Sequence, residues 1–321
     1  MIKWTQHKLR KALVFSRKSR LLKSLKTSEQ TADLLRAIER FVPREFLRHL
    51  EKNSIAELRL GDHVQKEMTV LFADIRSFTT LSEQMSPQDN FYFINGYLQR
   101  IVPVIRHHSG FVDKYIGDSI MALFDGDADD ALLSAIDMLY ELNVYNQTRN
   151  RPARQPIRIG IGIHRGPLML GTIGESDRME STVISDAVNL ASRIERMNKL
   201  YGSTILVSED ILLNLKTPLN FQTRILDRVK AKGKNKMVTV LEVINGDPLD
   251  IKDAKLRISN FFEEGVSLYH LHEFKEALPL FEKCLQIFPE DRPSKIYVKR
   301  CEYYNAHGWD EEWAMLSEMG Y

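Results

Sequence analysis

The chain has 321 residues, 43% of them hydrophobic, and a formal net charge of only +2 at pH 7. This length and apolar content suffice for one large domain and a smaller one, and the near-neutral charge argues against a dedicated nucleic-acid-binding protein. The only two cysteines, Cys284 and Cys301, argue against a disulfide framework or a zinc cluster and predict a reduced, cytoplasmic protein.

The amino-terminal arm is strongly basic, with nine Lys or Arg and no acidic residue between Met1 and Lys26. No apolar run approaches the ~20 residues that span a bilayer, and Lys11–Ser16 is too short and too charged at its flanks for a signal peptide. We expect such an arm to form a solvated helix or a frayed terminus, which is the commoner structure of a basic run. Contact with anionic lipid, or with a membrane segment or upstream sensor outside this sequence, remains an alternative.

A helical lead-in is predicted from residue 28 to about 60, because Leu34, Leu35, Ile38 and Phe41 recur at helical spacing. Pro43 interrupts the pattern, which resumes afterwards. Such a helix either pairs with its own copy in a dimer or packs on its own domain.

From Met68 the hydrophobic pattern changes to one of short strands and helices. The predicted elements are a strand over 68–73, helices over 77–84 and 87–108, strands over 111–116 and 120–124, and a helix over 127–149. Strands over 157–163 and 168–173 are predicted to flank a hairpin at 164–167. The opening order βαββαβ predicts an α+β domain of the split ferredoxin-like type, in which the third strand lies antiparallel beside the first.

The remaining predicted elements are a helix over 185–200, a strand over 204–207, and a strand pair, 221–226 and 236–243, around the basic loop 230–234. The turn-rich Asn245–Pro248 marks a break. We therefore divide the chain into a basic arm and lead-in over 1–60, a core domain over 61–245, and a helical tail over 250–321.

The tail reads as a helical hairpin with the spacing of one tetratricopeptide unit. The positions that carry this spacing are Gly265, Ala277, Phe281, Cys284 and Pro289. One such unit cannot bury its apolar face alone, so the tail must pack on the preceding domain, a partner or a second copy. Trp309 and Trp313 either anchor that docking or simply pack the end of the tail.

Two aspartates, Asp74 and Asp118, stand where apolar strands end or begin. Because the first and third strands are expected to be antiparallel neighbours, both carboxylates should meet at one edge of the sheet. Paired carboxylates suit Mg²⁺ or Mn²⁺ and the phosphates that these ions carry. Nucleotide chemistry is therefore the first functional hypothesis.

Four motifs resemble those of the class III nucleotidyl cyclases, over roughly residues 40–243. They are FADIRSFT at 72–79, DKYIGD at 113–118, DAVNLASR at 186–193 and KGK at 232–234. The resemblance implies a cyclase that converts ATP to 3′,5′-cyclic AMP and pyrophosphate. The Gly-Gly-Asp/Glu-Glu-Phe signature of the diguanylate cyclases, which share a ferredoxin-like core, is absent from the sequence.

By this resemblance, Asp74 and Asp118 bridge two Mg²⁺ or Mn²⁺ ions per active site, and the backbone carbonyl of Ile75 completes one coordination shell. Backbone amides near Phe78 and Thr79 would meet the β- and γ-phosphates at the start of a helix.

Lys114 and Thr182 match the purine-selecting pair of the family. A lysine can only donate, so Lys114 suits the N1 acceptor of adenine, while the hydroxyl of Thr182 can accept from N6. A guanylyl enzyme is expected to carry an acidic residue in place of Lys114. The Lys–Thr combination resembles the subclass whose members often respond to bicarbonate.

The resemblance further implies that Asn189 orients the ribose, that Arg193 stabilises charge on the α-phosphate in the transition state, and that Lys232 binds the terminal phosphate. In this family the metal aspartates come from one subunit and the purine pair, Asn189 and Arg193 from the other. The chain carries both sets, which implies a head-to-tail homodimer with two sites. Ser181 and Ser185 depart from the usual aromatic and glycine, although Ser185 can act as an N-cap.

Two other classes of function remain. A non-catalytic cyclase-homology module for signalling or dimerisation predicts the loss of a metal or transition-state residue, and none is lost. A scaffold or membrane-surface adaptor built on the tail and basic arm predicts more than one helical repeat, and only one is recognisable.

Overall fold

A computed structural model describes residues 31–34, 37–38, 41–148, 156–230 and 237–309. The basic arm, Lys232 with its loop, and Trp313 lie outside the described residues. The chain divides into two compact units, which are described separately: residues 1–64 with 170–181, and residues 65–169 with 182–321.

The described part of the first unit has helical residues at 31–34 and 37–38, a short helix α1 (Arg44–His49) and a 3₁₀ turn (Ile55–Glu57). The predicted interruption at Pro43 agrees with the structure, in which Pro43 occupies the N-cap position of α1. The predicted continuation of the helix to about residue 60 is wrong, because α1 ends at His49 and Glu51 adopts a left-handed backbone conformation with φ of +56°. The two segments of this unit are joined by backbone hydrogen bonds. Gly61 N–H donates to the carbonyl of Thr172 at 3.1 Å, and Thr172 N–H donates to that of Asp62 at 2.9 Å.

The sheet has the strand order β2-β3-β1-β4-β6-β8-β7, with β5 paired to β4. The strands are β1 (His63–Ile75), β2 (Phe111–Ile116), β3 (Ser119–Phe124), β4 (Ile159–Gly174), β5 (Met179–Ile184), β6 (Ile205–Ser208), β7 (Thr223–Lys230) and β8 (Met237–Val243). β1 and β3 are antiparallel, with Ala73 opposite Ile120. This arrangement confirms the predicted α+β ferredoxin-like core.

The helices of the core lie close to their predicted positions. Those that were predicted are α2 (Phe78–Ser82), α3 (Pro87–His107), α4 (Ala128–Thr148) and α5 (Asp186–Tyr201). A further short helix, α6 (Glu209–Leu213), was not predicted. One apolar cluster contains residues of α3 and α4, such as Tyr97, Ile101 and Leu132, together with strand residues such as Leu71 and Ala122. The burial of these residues holds β1 and β3, the two strands that flank the aspartates, in a rigid sheet.

The hairpin predicted at 164–167 is absent, because β4 runs without a break from Ile159 to Gly174. Gly166, which suggested the turn, packs against α5 instead, since a Cβ on it would lie 3.2 Å from Ala187 Cβ. Gly162, in the same strand, serves even closer packing. A Cβ on Gly162 would lie 2.2 Å from the backbone nitrogen of Glu195 in α5, so only glycine lets that helix approach β4. Sequence reasoning also missed β5, which pairs with β4.

The tail forms three helices, α7 (Leu249–His270), α8 (Phe274–Ile287) and α9 (Arg292–His307), where a hairpin was predicted. Their buried side chains, including Phe262, Phe281 and Tyr297, share one apolar cluster with Ile194 and Tyr201 of α5. The tail therefore packs on the core within the second unit. Its tetratricopeptide-like character stays a prediction. None of the described helices combines the length and apolar content needed to cross a membrane.

A buried ionic network joins the tail to the last two strands. The guanidinium of Arg224 in β7 donates to Glu242 of β8 at 2.7 Å and to Asp291, the N-cap of α9, at 2.8 Å. Lys255 of α7 donates to Glu242 at 2.6 Å and to Asp247 at 2.7 Å. Because these charges are removed from water, each depends on its partners to remain ionised.

Candidate functional site

Asp74 lies near the end of β1, and Asp118 follows Gly117 in the tight turn between β2 and β3. Gly117 has φ of +65°, a conformation in which glycine is favoured. The backbone N–H of Ile75 donates to Asp118 Oδ2 at 3.2 Å. The structure thus brings the two aspartates together at one edge of the sheet, and both are half-buried.

The two carboxylates perturb each other. Burial, followed by the charge of Asp118, raises the pKa of Asp74 to about 6, although the charges of Arg76 and Arg196 act in the opposite direction. Burial also raises the pKa of Asp118. Two negative groups held together with little water are destabilised when both ionise, and a bound cation would remove that penalty.

This donor set fits a hard divalent cation. It offers two carboxylates at one edge of the sheet. Across the parts of the chain that the structure describes, no group of three or more His, Cys, Asp or Glu side chains could hold a metal. Mg²⁺ is commonly bound by one or two carboxylates together with substrate phosphates rather than by a complete protein cage. The site therefore suits an ion that arrives with, or is completed by, a polyphosphate.

The loop after Ile75 has an unusual backbone. Ser77 has φ of +56° and ψ of 33° and immediately precedes α2, and a non-glycine residue in this region is uncommon and often marks a functional turn. Phe78 packs its ring against Phe93, with 6.2 Å between centroids, whereas Thr79 is exposed. The core contact of Phe78 fixes the loop beside Asp74.

Lys114 of β2 and Thr182 of β5 also meet. The ammonium group of Lys114 donates to Thr182 Oγ1 at 3.1 Å and lies 3.6 Å from Asp113 Oδ2. Both residues are half-buried. The structure therefore brings together, within one chain, the two side chains that sequence analysis assigned to purine selection.

The helix α5 carries Asn189, which is exposed, and Arg193, which is half-buried. In the described parts of the chain, no hydrogen bond or ion pair joins either residue to Asp74 or Asp118. Ser185 caps α5, since its Oγ accepts from Ala187 N–H at 2.8 Å and donates to the carbonyl of Pro167 at 2.6 Å. Ser181 is half-buried.

Sequence analysis missed two charged residues beside the aspartates, Arg76 and Glu195. Burial and the charge of Asp74 raise the pKa of Glu195 to about 7. The guanidinium of Arg76 donates to the carbonyl of Ser203. Arg76 lies within the motif at 72–79, and Glu195 follows the motif at 186–193 by two residues. Only the three-dimensional packing shows that they approach each other.

The family model for the adenylate and guanylate cyclase catalytic domain matches residues 62–243. The structure resembles the crystal structure of the adenylyl cyclase CyaB from P. aeruginosa with a TM-score of 0.50 and 29% sequence identity, over 56% of this chain and 95% of that one.

Two curated relatives are adenylate cyclases. One, from Dictyostelium discoideum and described as terminal-differentiation specific, is 37% identical over 279 residues, which is 85% of this chain and 13% of that protein. The other, from Anabaena cylindrica, is 44% identical over 215 residues, which is 65% of this chain and 43% of that protein. The chain thus spans less than half the length of either relative. The first alignment is longer than the matched domain and so also includes residues outside it.

Proposed function

Because this chain belongs to the family of adenylate and guanylate cyclase catalytic domains, we propose that it converts ATP to 3′,5′-cyclic AMP and pyrophosphate. The observation that carries the proposal is the presence, on one chain, of a paired carboxylate site and of a Lys114–Thr182 contact. The first suits metal-bound phosphates and the second suits adenine.

Asp74 and Asp118 are proposed to hold two Mg²⁺ or Mn²⁺ ions, with the carbonyl of Ile75 as a further ligand. When bound, such ions lower the pKa of the ribose 3′-hydroxyl and neutralise the leaving pyrophosphate. The N–H of Ile75 holds one oxygen of Asp118, so this carboxylate is oriented before any ion binds. The amides near Phe78 and Thr79 are proposed to contact the β- and γ-phosphates, and Lys232 the terminal phosphate.

Adenine selection is proposed to use the existing Lys114–Thr182 contact. Adenine would replace it with two hydrogen bonds, from the Lys114 ammonium to N1 and from N6 to Thr182 Oγ1. Guanine carries hydrogen-bond donors at N1 and N2, so it would set a donor against a lysine that can only donate. A site with an unpaired buried donor discriminates strongly, which favours ATP over GTP.

The complete site is proposed to form between two subunits in a head-to-tail homodimer. One subunit supplies Asp74 and Asp118, and the other supplies Lys114, Thr182, Asn189 and Arg193. Asn189 would orient the ribose, while Arg193, which is always charged, would stabilise the charge on the α-phosphate. The monomer would then be inactive, and each dimer would hold two equivalent sites.

The proposal is tested with purified protein, Mn²⁺, and either ATP or GTP, by measuring the cyclic product. Asp74→Ala and Arg193→Ala should each abolish activity. The exposed residues Asp253 and Arg257 on α7 provide matched controls, and their alanine variants should remain active. Mixing the two inactive variants should restore about a quarter of wild-type activity, because half of randomly formed dimers are mixed and each holds one intact site.

Two outcomes would contradict this assignment. A lack of recovery despite proven subunit exchange would exclude the shared site. Nucleotide binding by the wild type without any cyclic product would favour the alternative, a non-catalytic signalling or dimerisation module.

A further inference from the structure

Arg76 and Glu195 converge on one point of β4, at Gly160. If Gly160 carried a Cβ, this atom would lie 2.8 Å from Glu195 Oε1 and 3.1 Å from Arg76 Nε. A glycine at this position therefore leaves room for two oppositely charged side chains that come from different elements. Burial lowers the pKa of Arg76 and raises that of Glu195, and the charge of each residue opposes the shift of the other.

Arg76 holds the loop that follows Asp74 in place through hydrogen bonds to two other segments. Its backbone N–H donates to the carbonyl of Arg158 at 2.8 Å, just before β4, and its guanidinium donates to the carbonyl of Ser203, just before β6. The residue is thus bound through both its main chain and its side chain. Because Ile75 precedes it directly, the position of Arg76 also sets that of the Ile75 carbonyl.

Glu195 belongs to α5, the helix that carries Asn189 and Arg193. This helix is held tightly against β4, since a Cβ on Gly162 would lie 2.2 Å from the nitrogen of Glu195, and Asn198 Nδ2 donates to the carbonyl of Ile161 at 2.9 Å. A change in the position of Glu195 is therefore a change in the position of α5 as a rigid body.

We propose that Arg76 and Glu195 are positioning residues that connect, within one subunit, the loop after Asp74 to the helix that carries Arg193. The inference rests on the proposed head-to-tail dimer, in which Asp74 and Arg193 of one subunit serve two different active sites. The proximity of the two side chains at Gly160 would then link the metal-binding half of one site to the transition-state half of the other. Such a link lets occupation of one site alter the second.

Other charged groups face this pair. Asp74, Arg158 and Arg292 also act on Arg76, and Asp74, Arg196 and Asp118 act on Glu195. A test must therefore separate the pair from its surroundings. Glu195→Gln preserves the shape of the side chain and removes its charge, and it should leave folding intact because burial already disfavours that charge.

The sharpest experiment uses the mixed dimer of Asp74→Ala and Arg193→Ala chains, which holds one competent site. In that site the Arg193→Ala chain supplies the aspartates, and the Asp74→Ala chain supplies α5. Glu195→Gln is introduced into one chain or the other, and kcat, the KM for ATP and the half-saturating Mn²⁺ concentration are measured.

We expect both placements to impair the single site, by about tenfold each, but in different ways. In the chain that supplies the aspartates, Glu195→Gln should raise the Mn²⁺ concentration required. In the chain that supplies α5, it should lower kcat with little change in the KM for ATP. The matched control is Glu264→Gln, an exposed glutamate on α7, which should change neither parameter from either chain.

An effect confined to one placement would overturn the inference, because Glu195 would then act on a single half-site. A second measurement is a double-mutant cycle with Arg76→Met, Glu195→Gln and both, in the otherwise wild-type dimer. If the fold-losses in activity of the two single variants multiply in the double variant, the inference is also overturned. A double variant that is no less active than Arg76→Met supports the inference. Activity of the unaltered mixed dimer establishes the proposed function separately, so failure of either proposal is recognisable.

Discussion

The backbone N–H of Ile75 donates to Asp118 Oδ2 across 3.2 Å, although 43 residues separate the two in the sequence. The bond crosses from the end of β1 to the turn that precedes β3, and those strands are paired throughout 69–73 and 120–124. The carboxylate pair is therefore held by the sheet itself. A site so preorganised can receive ions without prior rearrangement.

Replacing Asp74 by asparagine should stabilise the metal-free protein at alkaline pH. The pKa of Asp74 in the folded protein is about 6, above its usual 3.8, so the folded state binds more protons between these values and stability falls as pH rises through that window. Asparagine carries no charge to be destabilised. After discounting for partial exposure, the gain in unfolding free energy at pH 8 should be about 1–2 kcal/mol.

Thermal melting of both proteins in chelator, at pH 4 and pH 8, measures this effect. The difference should vanish at pH 4, and added Mn²⁺ should raise the melting temperature of the wild type more than that of the variant, since ligands that bind the folded state stabilise it. Asp253→Asn, at an exposed position, serves as control. A variant that melts lower than wild type at pH 8 would contradict the predicted repulsion.

Reversing the charge at Lys114 should change base selection. Lys114→Glu places an acceptor where adenine also has one, so kcat/KM for ATP should fall about 100-fold or more, because a site built around one hydrogen bond rejects a mismatched partner. The ratio of GTP to ATP turnover should rise. Lys199→Glu, an exposed lysine at the end of α5, provides the control. Unchanged preference in Lys114→Glu would exclude this residue from purine recognition.

Much of the core could be predicted from the sequence, because its signals are local. The apolar runs that precede Asp74 and follow Asp118 determined the pairing of β1 with β3. The predicted hairpin in β4 was wrong because Gly166–Pro167 is a common turn signal, and only the packing of α5 shows why glycines are needed there. Arg76 and Glu195 are about 120 positions apart in sequence. Their proximity in the fold therefore could not be predicted from any local periodicity.

Ser185, which stands where the family usually has glycine, should stabilise the start of α5. Its hydroxyl accepts from Ala187 N–H at 2.8 Å and donates to the Pro167 carbonyl at 2.6 Å. Ser185→Ala removes both bonds and should cost about 1 kcal/mol of unfolding free energy, while Ser185→Gly, which restores the family's residue, should cost only a few tenths. Urea unfolding of the wild type and the two variants measures the order of their unfolding free energies. An alanine variant as stable as the serine protein would contradict the capping role.

Because of the buried ionic network, removal of a single charge should strongly destabilise the packing of the tail on the core. Arg224 is 1% exposed and bonds to Glu242 and Asp291. Arg224→Met preserves much of the volume but leaves two buried carboxylates short of a partner, which typically destabilises a protein by about 3–5 kcal/mol. Lys295→Met is the matched control, since Lys295 pairs with exposed Glu290 at 3.3 Å and such surface pairs contribute about 0–1 kcal/mol.

Urea unfolding at pH 7 compares the two variants, and a repeat at lower pH identifies the mechanism. The pKa of Glu242 is lowered to about 2, from a usual 4.5, so its contribution is present above pH 4.5 and is lost as pH falls towards 2. The cost of Arg224→Met should shrink over that window, because a protonated Glu242 no longer needs the guanidinium. A loss that stays constant between pH 5 and pH 3 would assign the effect to packing on Phe262, whose ring centroid lies 4.9 Å from the guanidinium, rather than to charge.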